Sequence, residues 1–146
     1  SMLSNVRVMR QAREGSVLIG SRDGLWQCDI TAGNLHELRF DPAQSLDVRA
    51  LAVGPSGDIW VATTGSGIYR FSESGKAVAR YHSGAGDGYA LPGDEIRGLQ
   101  FDRRWRLWVA TKANGLLRID PDSDRIEQYR HDPTNPRSLS ADRQES

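Results

Sequence analysis

The sequence is poor in almost everything that would supply a ready-made chemistry. It has one cysteine, Cys28, in 146 residues, which excludes an internal disulfide framework and a multi-cysteine metal site. Neither sign of charge prevails: 19 Lys and Arg balance 19 Asp and Glu. No basic field draws in nucleic acid or an anionic membrane, so neither is an expected partner. Long apolar runs are missing too. Stretches such as Ile59-Trp60-Val61-Ala62 stop after a few residues, where about 18 are needed to cross a bilayer as a helix. No apolar segment follows a basic start, so no signal peptide is expected. Ser1-Met2 reads as a cloning remnant before a native segment, and the chain is read as one cut from something larger. The three histidines, His36, His82 and His131, fall in no short metal-ligand spacing, and no metal or other cofactor is expected. No window sustains a 3.6-residue apolar period, which predicts almost no helix.

What the chain does have is a repeat. Val48 to Val53, Ile59-Trp60-Val61-Ala62-Thr63, Gly67-Ile68-Tyr69-Arg70-Phe71, Tyr81 and Leu91 return as Ile96 to Phe101, Leu107-Trp108-Val109-Ala110-Thr111, Gly115-Leu116-Leu117-Arg118-Ile119, Tyr129 and Leu139. The offset between matching residues is a constant 48. A more degenerate copy lies upstream, through Val6, Met9, Leu18-Ile19-Gly20-Ser21, Gly24-Leu25-Trp26 and Phe40, offset by 41 to 43. Leu18 stands there for Trp60 and Trp108, and Gln11 for Val53 and Phe101. The expected units are 1–43, 44–91 and 92–139, with 140–146 leading toward a next unit, and Leu3, Leu46, Leu91 and Leu139 lie near the joints.

Each unit reads as four short strands. In the second they are Val48 to Val53, Asp58 to Thr63, Ile68 to Phe71 and Ala77 to Tyr81, parted by Gly54-Pro55-Ser56-Gly57, Gly65-Ser66-Gly67 and Ser74-Gly75-Lys76. The second strand is apolar on both faces, as a strand between two layers must be. The fourth alternates, as a half-exposed outer strand does. A four-stranded antiparallel meander of this length with buried inner strands is one propeller blade. The fold class is therefore all-β, three blades of a β-propeller. β-Helix coils and leucine-rich repeats are too short for a period of 48.

The core Gly57-Asp58-Ile59-Trp60-Val61-Ala62-Thr63 with Gly67-Ile68-Tyr69-Arg70-Phe71, its return at Leu107 to Thr111 and Gly115 to Asp120, and the tail His131-Asp132-Pro133-Thr134-Asn135-Pro136-Arg137-Ser138-Leu139-Ser140 resemble the two-component regulator propeller repeat. The third copy departs from the pattern: Arg103-Arg104-Trp105-Arg106 replaces Pro55-Ser56-Gly57-Asp58, so Trp105 takes the turn glycine's place. The resemblance implies the extracytoplasmic, periplasmic input domain of a bacterial hybrid histidine kinase or diguanylate cyclase. Its partners would be the remainder of that signalling protein and a small-molecule or carbohydrate ligand. No kinase, receiver or cyclase motif occurs in the chain, so its expected role is binding and not catalysis. Alternatives are a structural interaction propeller and a propeller lyase of the streptogramin-lyase type, which would need a catalytic histidine beside a metal-holding carboxylate.

Individual motifs offer little more. Ser66 reads as a turn residue and not a nucleophile. Asp120-Pro121-Asp122-Ser123-Asp124 lacks the glycine and distal glutamate of a calcium loop and reads as an acidic turn. Gly84-Ala85-Gly86-Asp87-Gly88 has no following Lys-Ser/Thr, and reads as a connection rather than a phosphate cradle. Trp60 and Trp108 read as core, and Thr63, Thr111 and Ser21 as local strand-end hydrogen bonders. Arg70 and Arg118 read as buried stems pairing with carboxylates of neighbouring blades. By analogy with propellers, the loops after each second strand share one face with the connections between blades. That face holds the candidate ligand residues Arg22, Asp23, Thr64, Ser66, Lys112, Asn114, His82, Tyr89 and His131, beside Asp87 and Asp132. Trp105, with Arg103 and Arg104, forms the candidate partner contact. Closed propellers take 4–8 blades, so three leave two exposed blade faces. They imply a fragment of a longer ring, or copies associating, with a dimer closing a six-bladed ring.

Overall fold

The computed structural model describes residues 5–12, 15–41, 45–84 and 89–130, and among them it contains strands and no helix. The first sheet comprises β1 (Val6–Gln11), β2 (Ser16–Ser21), β3 (Gly24–Asp29) and β4 (Asn34–Leu38). The second comprises β5 (Val48–Val53), β6 (Ile59–Thr63), β7 (Ile68–Phe71) and β8 (Ala77–Tyr81). The third comprises β9 (Ile96–Phe101), β10 (Leu107–Thr111), β11 (Leu116–Asp120) and β12 (Arg125–Tyr129). Each sheet is an antiparallel meander in chain order. The first strands stand side by side, β5 packing against both β1 and β9. The fourth strands therefore form the rim, and the three sheets are three blades of a β-propeller.

Burial follows from this arrangement. All five residues of β6 are buried because a blade covers each face, whereas β8 at the rim opens to solvent. Leu18, Leu25 and Leu38 of the first blade pack on Val48, Leu51, Ile59, Val61, Tyr69 and Phe71 of the second. Trp60, Ala62, Ile68 and Tyr81 of the second pack in turn on Leu99, Leu107, Val109, Leu117 and Ile119 of the third. Leu46 and Leu91, in the connections, are buried with them.

Trp60 lies at the centre of the second interface and has no exposed surface. Tyr81 stacks on it at 5.5 Å, and Phe101 of the third blade meets it edge-on at 6.3 Å. The Arg70 guanidinium sits over the ring at 4.6 Å. The indole N–H donates to Asp58 Oδ2 at 2.7 Å. Trp108, expected in the core like Trp60, is only half-buried. It occupies the equivalent place on the third blade, and among the described residues no further blade covers it.

The arginine pairings differ from expectation. Arg70 pairs with Asp58 of its own blade at 3.1 Å, and its contact across the interface is a hydrogen bond to the Pro121 carbonyl at 3.4 Å. Arg118 pairs with Glu127, also of its own blade, at 2.7 Å. Each guanidinium lies beside its own blade's tryptophan, within reach of a carboxylate on the same sheet, so the neighbouring blade need supply none.

Two blades satisfy the tryptophan N–H from opposite sides of one turn. In the second blade Asp58, after the turn, accepts it, and Gly54 before the turn leaves room: a Cβ on Gly54 would collide with Asp58 Oδ1. In the third blade Asp102, before the turn, accepts from Trp108 at 2.9 Å, and Arg106 stands at the position of Asp58. Gly54→Asp alone should destabilise the chain by about 1–3 kcal/mol, through overpacking. Adding Asp58→Arg, which recreates the third blade's arrangement, should recover most of that loss. Denaturant titration of both variants checks this, and a double variant no more stable than the single one would refute the exchange. Trp60→Ala should cost roughly 3–5 kcal/mol through the cavity it leaves, and Trp108→Ala clearly less. An unchanged melting curve for Trp60→Ala would refute its place in the core.

Candidate functional site

The turns after each second strand are held by a hydroxyl, as expected. Thr63 Oγ1 donates to the Gly67 carbonyl at 2.8 Å and accepts from Ser66 N at 2.8 Å. Thr111 does the same with Gly115 and Asn114, and Ser21 with Gly24 and Asp23. These turns fix the next residue in each blade. The N–H groups of Arg22, Thr64 and Lys112 donate to the carbonyls of Asn5, Asp47 and Glu95, which precede the first strands. The second residue of each first strand is an arginine: Arg7, Arg49 and Arg97. Basic and hydroxyl side chains therefore gather at one end of the propeller axis.

A hollow of about 220 Å³ opens there between the second and third blades. It is lined by Arg49, Thr64, Glu95, Ile96, Arg97 and Lys112. The Lys112 ammonium lies 3.4 Å from the Glu95 carboxylate. Of the candidate ligand residues, Thr64 and Lys112 come together in this hollow. Arg22 and Asp23 stand exposed on the first blade's loop, and Ser66 is exposed at its turn, where its carbonyl accepts from Arg80. Asn114 is half-buried, and its carbonyl accepts from Gln128 at 2.8 Å. His82 bonds through its backbone to Tyr89 and Leu91, and its Nδ1 lies 2.8 Å from the Ser83 carbonyl. The Tyr89 ring is not presented to the hollow but packs edge-on against Tyr81 at 5.1 Å. His131, Asp87 and Asp132 lie outside the described residues. Arg49, Glu95 and Arg97 were missed, although their signal was visible: an arginine follows the first apolar residue of every first strand.

A second hollow, about 340 Å³, lies at the opposite end of the first strands, between Arg10, Gln11, Leu51 to Val53 and Leu99 to Asp102, with Trp105 at its edge. Trp105 does occupy the turn glycine's place, with φ of 60° where Gly57 has 82°. A left-handed backbone costs a non-glycine residue about 1–2 kcal/mol. The ring is 46% exposed and meets Phe101 of its own blade edge-on at 5.5 Å. Arg103 and Arg104 are exposed beside it. Asp102 holds this turn together. Desolvation would raise its pKa, but the Trp108 indole, the N–H groups of Arg106 and Arg104 and the Arg106 guanidinium outweigh that and lower it from 3.8 to about 2.

No family model matches the chain, and no curated protein matches it. Solved structures do. The extracellular domain of a protein assigned as a one component system of B. thetaiotaomicron aligns at TM-score 0.69 and 17% identity, over 85% of this chain and 16% of its own. The extracellular domain of one assigned as a hybrid two component system, from the same organism, aligns at 0.69 and 18%, over 86% and 18%. Virginiamycin B lyase from Staphylococcus aureus aligns at 0.68 and 18%, over 86% and 41%. The chain thus spans less than a fifth of the first two and under half of the third. At these identities the likeness establishes the β-propeller fold that the sheets define.

The depressed Asp102 pKa has a definite sign. Its stabilisation is fully present above the ordinary 3.8 and is lost as the pH falls toward about 2. Asp102→Asn should lower the melting temperature above pH 4 and flatten its fall between pH 4 and pH 2. Parallel melting curves for the two proteins across that window would contradict the assignment.

Proposed function

We propose that the chain is part of the ligand-receiving propeller of a bacterial two-component or diguanylate-cyclase signalling protein, acting outside the cytoplasm by binding and not by catalysis. The observation that carries this reading is the hollow at the axis, where Arg49, Thr64, Arg97 and Lys112 from two successive repeats converge. Its small volume suits one polar group of a ligand and the atoms next to it, since whole drug-sized sites take about 300–1,000 Å³. The solved neighbours that are extracellular domains of signalling systems support the same reading. The lyase alternative requires a histidine beside a metal-holding carboxylate. Among the described residues no group of three His, Cys, Asp or Glu side chains is placed to hold a metal ion.

The interface between the second and third blades supports a partner reading as well. Arg70 and Tyr81 of the second blade reach the third blade's turn, at the Pro121 carbonyl and the Asp124 carboxylate. Arg118 and Tyr129 hold the same places on the third blade, and there they turn back to Glu127. They would serve a following blade in the way Arg70 and Tyr81 serve the third. An acidic residue at the position of Asp124 would suit them, and a second copy's first blade offers Gly33 there. The face is therefore best matched to a further blade of the parent protein, and copies pairing end to end are the substitute in isolation.

Binding of a panel of candidate glycans, neutral and acidic, to the chain and to Lys112→Ala and Asn114→Ala tests the ligand face. Weaker binding in Lys112→Ala is expected, and unchanged affinity in both variants would count against this face. Coding sequence on either side should specify a membrane helix and a kinase or cyclase. Light scattering should show association of the isolated chain, and a stable, monodisperse monomer would defeat the partner reading.

A further inference from the structure

The two junctions between blades place the same three positions together, and they fill them differently. At the first junction, Arg7 Nη1 donates to Asp47 Oδ1 at 2.8 Å and lies 3.2 Å from Thr64 Oγ1, while Thr64 Oγ1 donates to the same carboxylate oxygen at 3.1 Å. Guanidinium, carboxylate and hydroxyl form a closed set. At the second junction the equivalent residues are Arg49, Glu95 and Lys112. Lysine has replaced the hydroxyl, and it holds Glu95 at 3.4 Å. Among the described residues, no hydrogen bond or ion pair joins the Arg49 or Arg97 guanidinium to a carboxylate. The hollow lies between them, lined by three cationic side chains and one carboxylate that is already engaged.

From this contrast we infer that the second junction is an anion site, in which a carboxylate or sulfate group of a ligand takes the place on Arg49 that Asp47 fills on Arg7. A planar guanidinium matches a carboxylate or sulfate edge with two parallel N–H groups, which a lone lysine cannot do. Arg97, on the next first strand, also lines the hollow and adds a second fork. Lys112 serves in two ways: it contributes charge, and it keeps Glu95 away from Arg49. The inference rests on the reading of this face as ligand-bearing and adds the class of ligand, one with an acidic group rather than a neutral polyol.

The test is a titration of the full chain with sodium sulfate and with sodium acetate against sodium chloride at matched ionic strength, following the arginine Nε–H signals by NMR. Saturable shifts are expected at Arg49 and Arg97, and only a small, linear response at Arg104, which is exposed far from the hollow. A response to sulfate alone would mark the group as a sulfate ester, and a response to acetate alone as a carboxylate. Arg49→Gln should abolish the saturable shift at Arg97. Glu95→Gln, which removes the competing carboxylate, should tighten binding about two- to fivefold, the size of one exposed charge contact. Lys112→Met should weaken it by a similar factor. Linear shifts indistinguishable between Arg49 and Arg104, or no response to Glu95→Gln, would overturn the inference. If neutral oligosaccharides still bound this face in a manner sensitive to Lys112→Ala, the ligand-face reading would survive that failure.

Discussion

The polar shell of Trp60 is the interaction on which the rest of the structure turns. A blade can bury its second strand only if the largest side chain there is satisfied on every side. The ring needs apolar surface above and below, and its N–H needs an acceptor. Tyr81 and Phe101 supply the surface, Asp58 the acceptor, and Arg70 both a cation over the ring and a partner for Asp58. Because Phe101 comes from the third blade, this shell also fixes how two blades meet. The registry of the first strands, and hence the position of Arg49 relative to Glu95, follows from it.

The first blade solves the same problem without the tryptophan. Leu18 takes its place, and Gln27, where the others have an arginine, donates to Ser16 Oγ at 2.8 Å. A smaller side chain with no N–H needs no carboxylate beneath it, and the ion pair disappears with the ring. The rim changes in step. Leu38, at the position of Tyr81, lies over Gly75, whereas Tyr81 meets Asp124 at the next junction. A Cβ on Gly75 would lie 2.8 Å from Leu38. Apolar side chain with glycine at one junction, and phenol with carboxylate at the other, make each pair of faces specific for its own neighbour.

The architecture was largely legible because it is periodic. A constant offset of 48 transfers the strand and turn assignments around Trp60, Thr63 and Gly67 to Trp108, Thr111 and Gly115, and the strand-end hydroxyls do what their positions suggested, although Trp108 is less buried than Trp60. Trp105 in the glycine position could likewise be read from alignment of the turns alone. What could not be read was the direction of side chains. Arg70 and Arg118 lie close to carboxylates of their own sheets, which depends on strand pairing across a blade and not on spacing along the chain. The turn exchange, Gly54 with Asp58 against Asp102 with Arg106, was hidden for a similar reason. Two different sequence positions deliver a carboxylate to one point in space. Arg49 and Arg97 were overlooked because a repeated arginine looks like repeat upkeep until, at one junction, the carboxylate proves to be held by Lys112 instead.

That last point separates the two kinds of repetition in this chain. At the rim, residues facing a neighbouring blade change as a matched pair, Leu38 with Gly75 and Tyr81 with Asp124, since an unmatched change leaves a void or an unsatisfied polar group in a close-packed interface. The arginine in second place on each first strand is exposed at the axis, with Thr64, Glu95 and Lys112 exposed beside it, and these positions carry no such constraint. There, Thr64 can become Lys112 and Asp47 can become Glu95 with little effect on how the blades meet. The same arginine is then neutralised at one junction and left open at the next. A repeat protein can in this way gain a site by loss of an internal partner, with no new fold element and no new residue type at the arginine itself. The strands place the guanidinium, and its unmatched charge at the second junction gives the face a chemical preference.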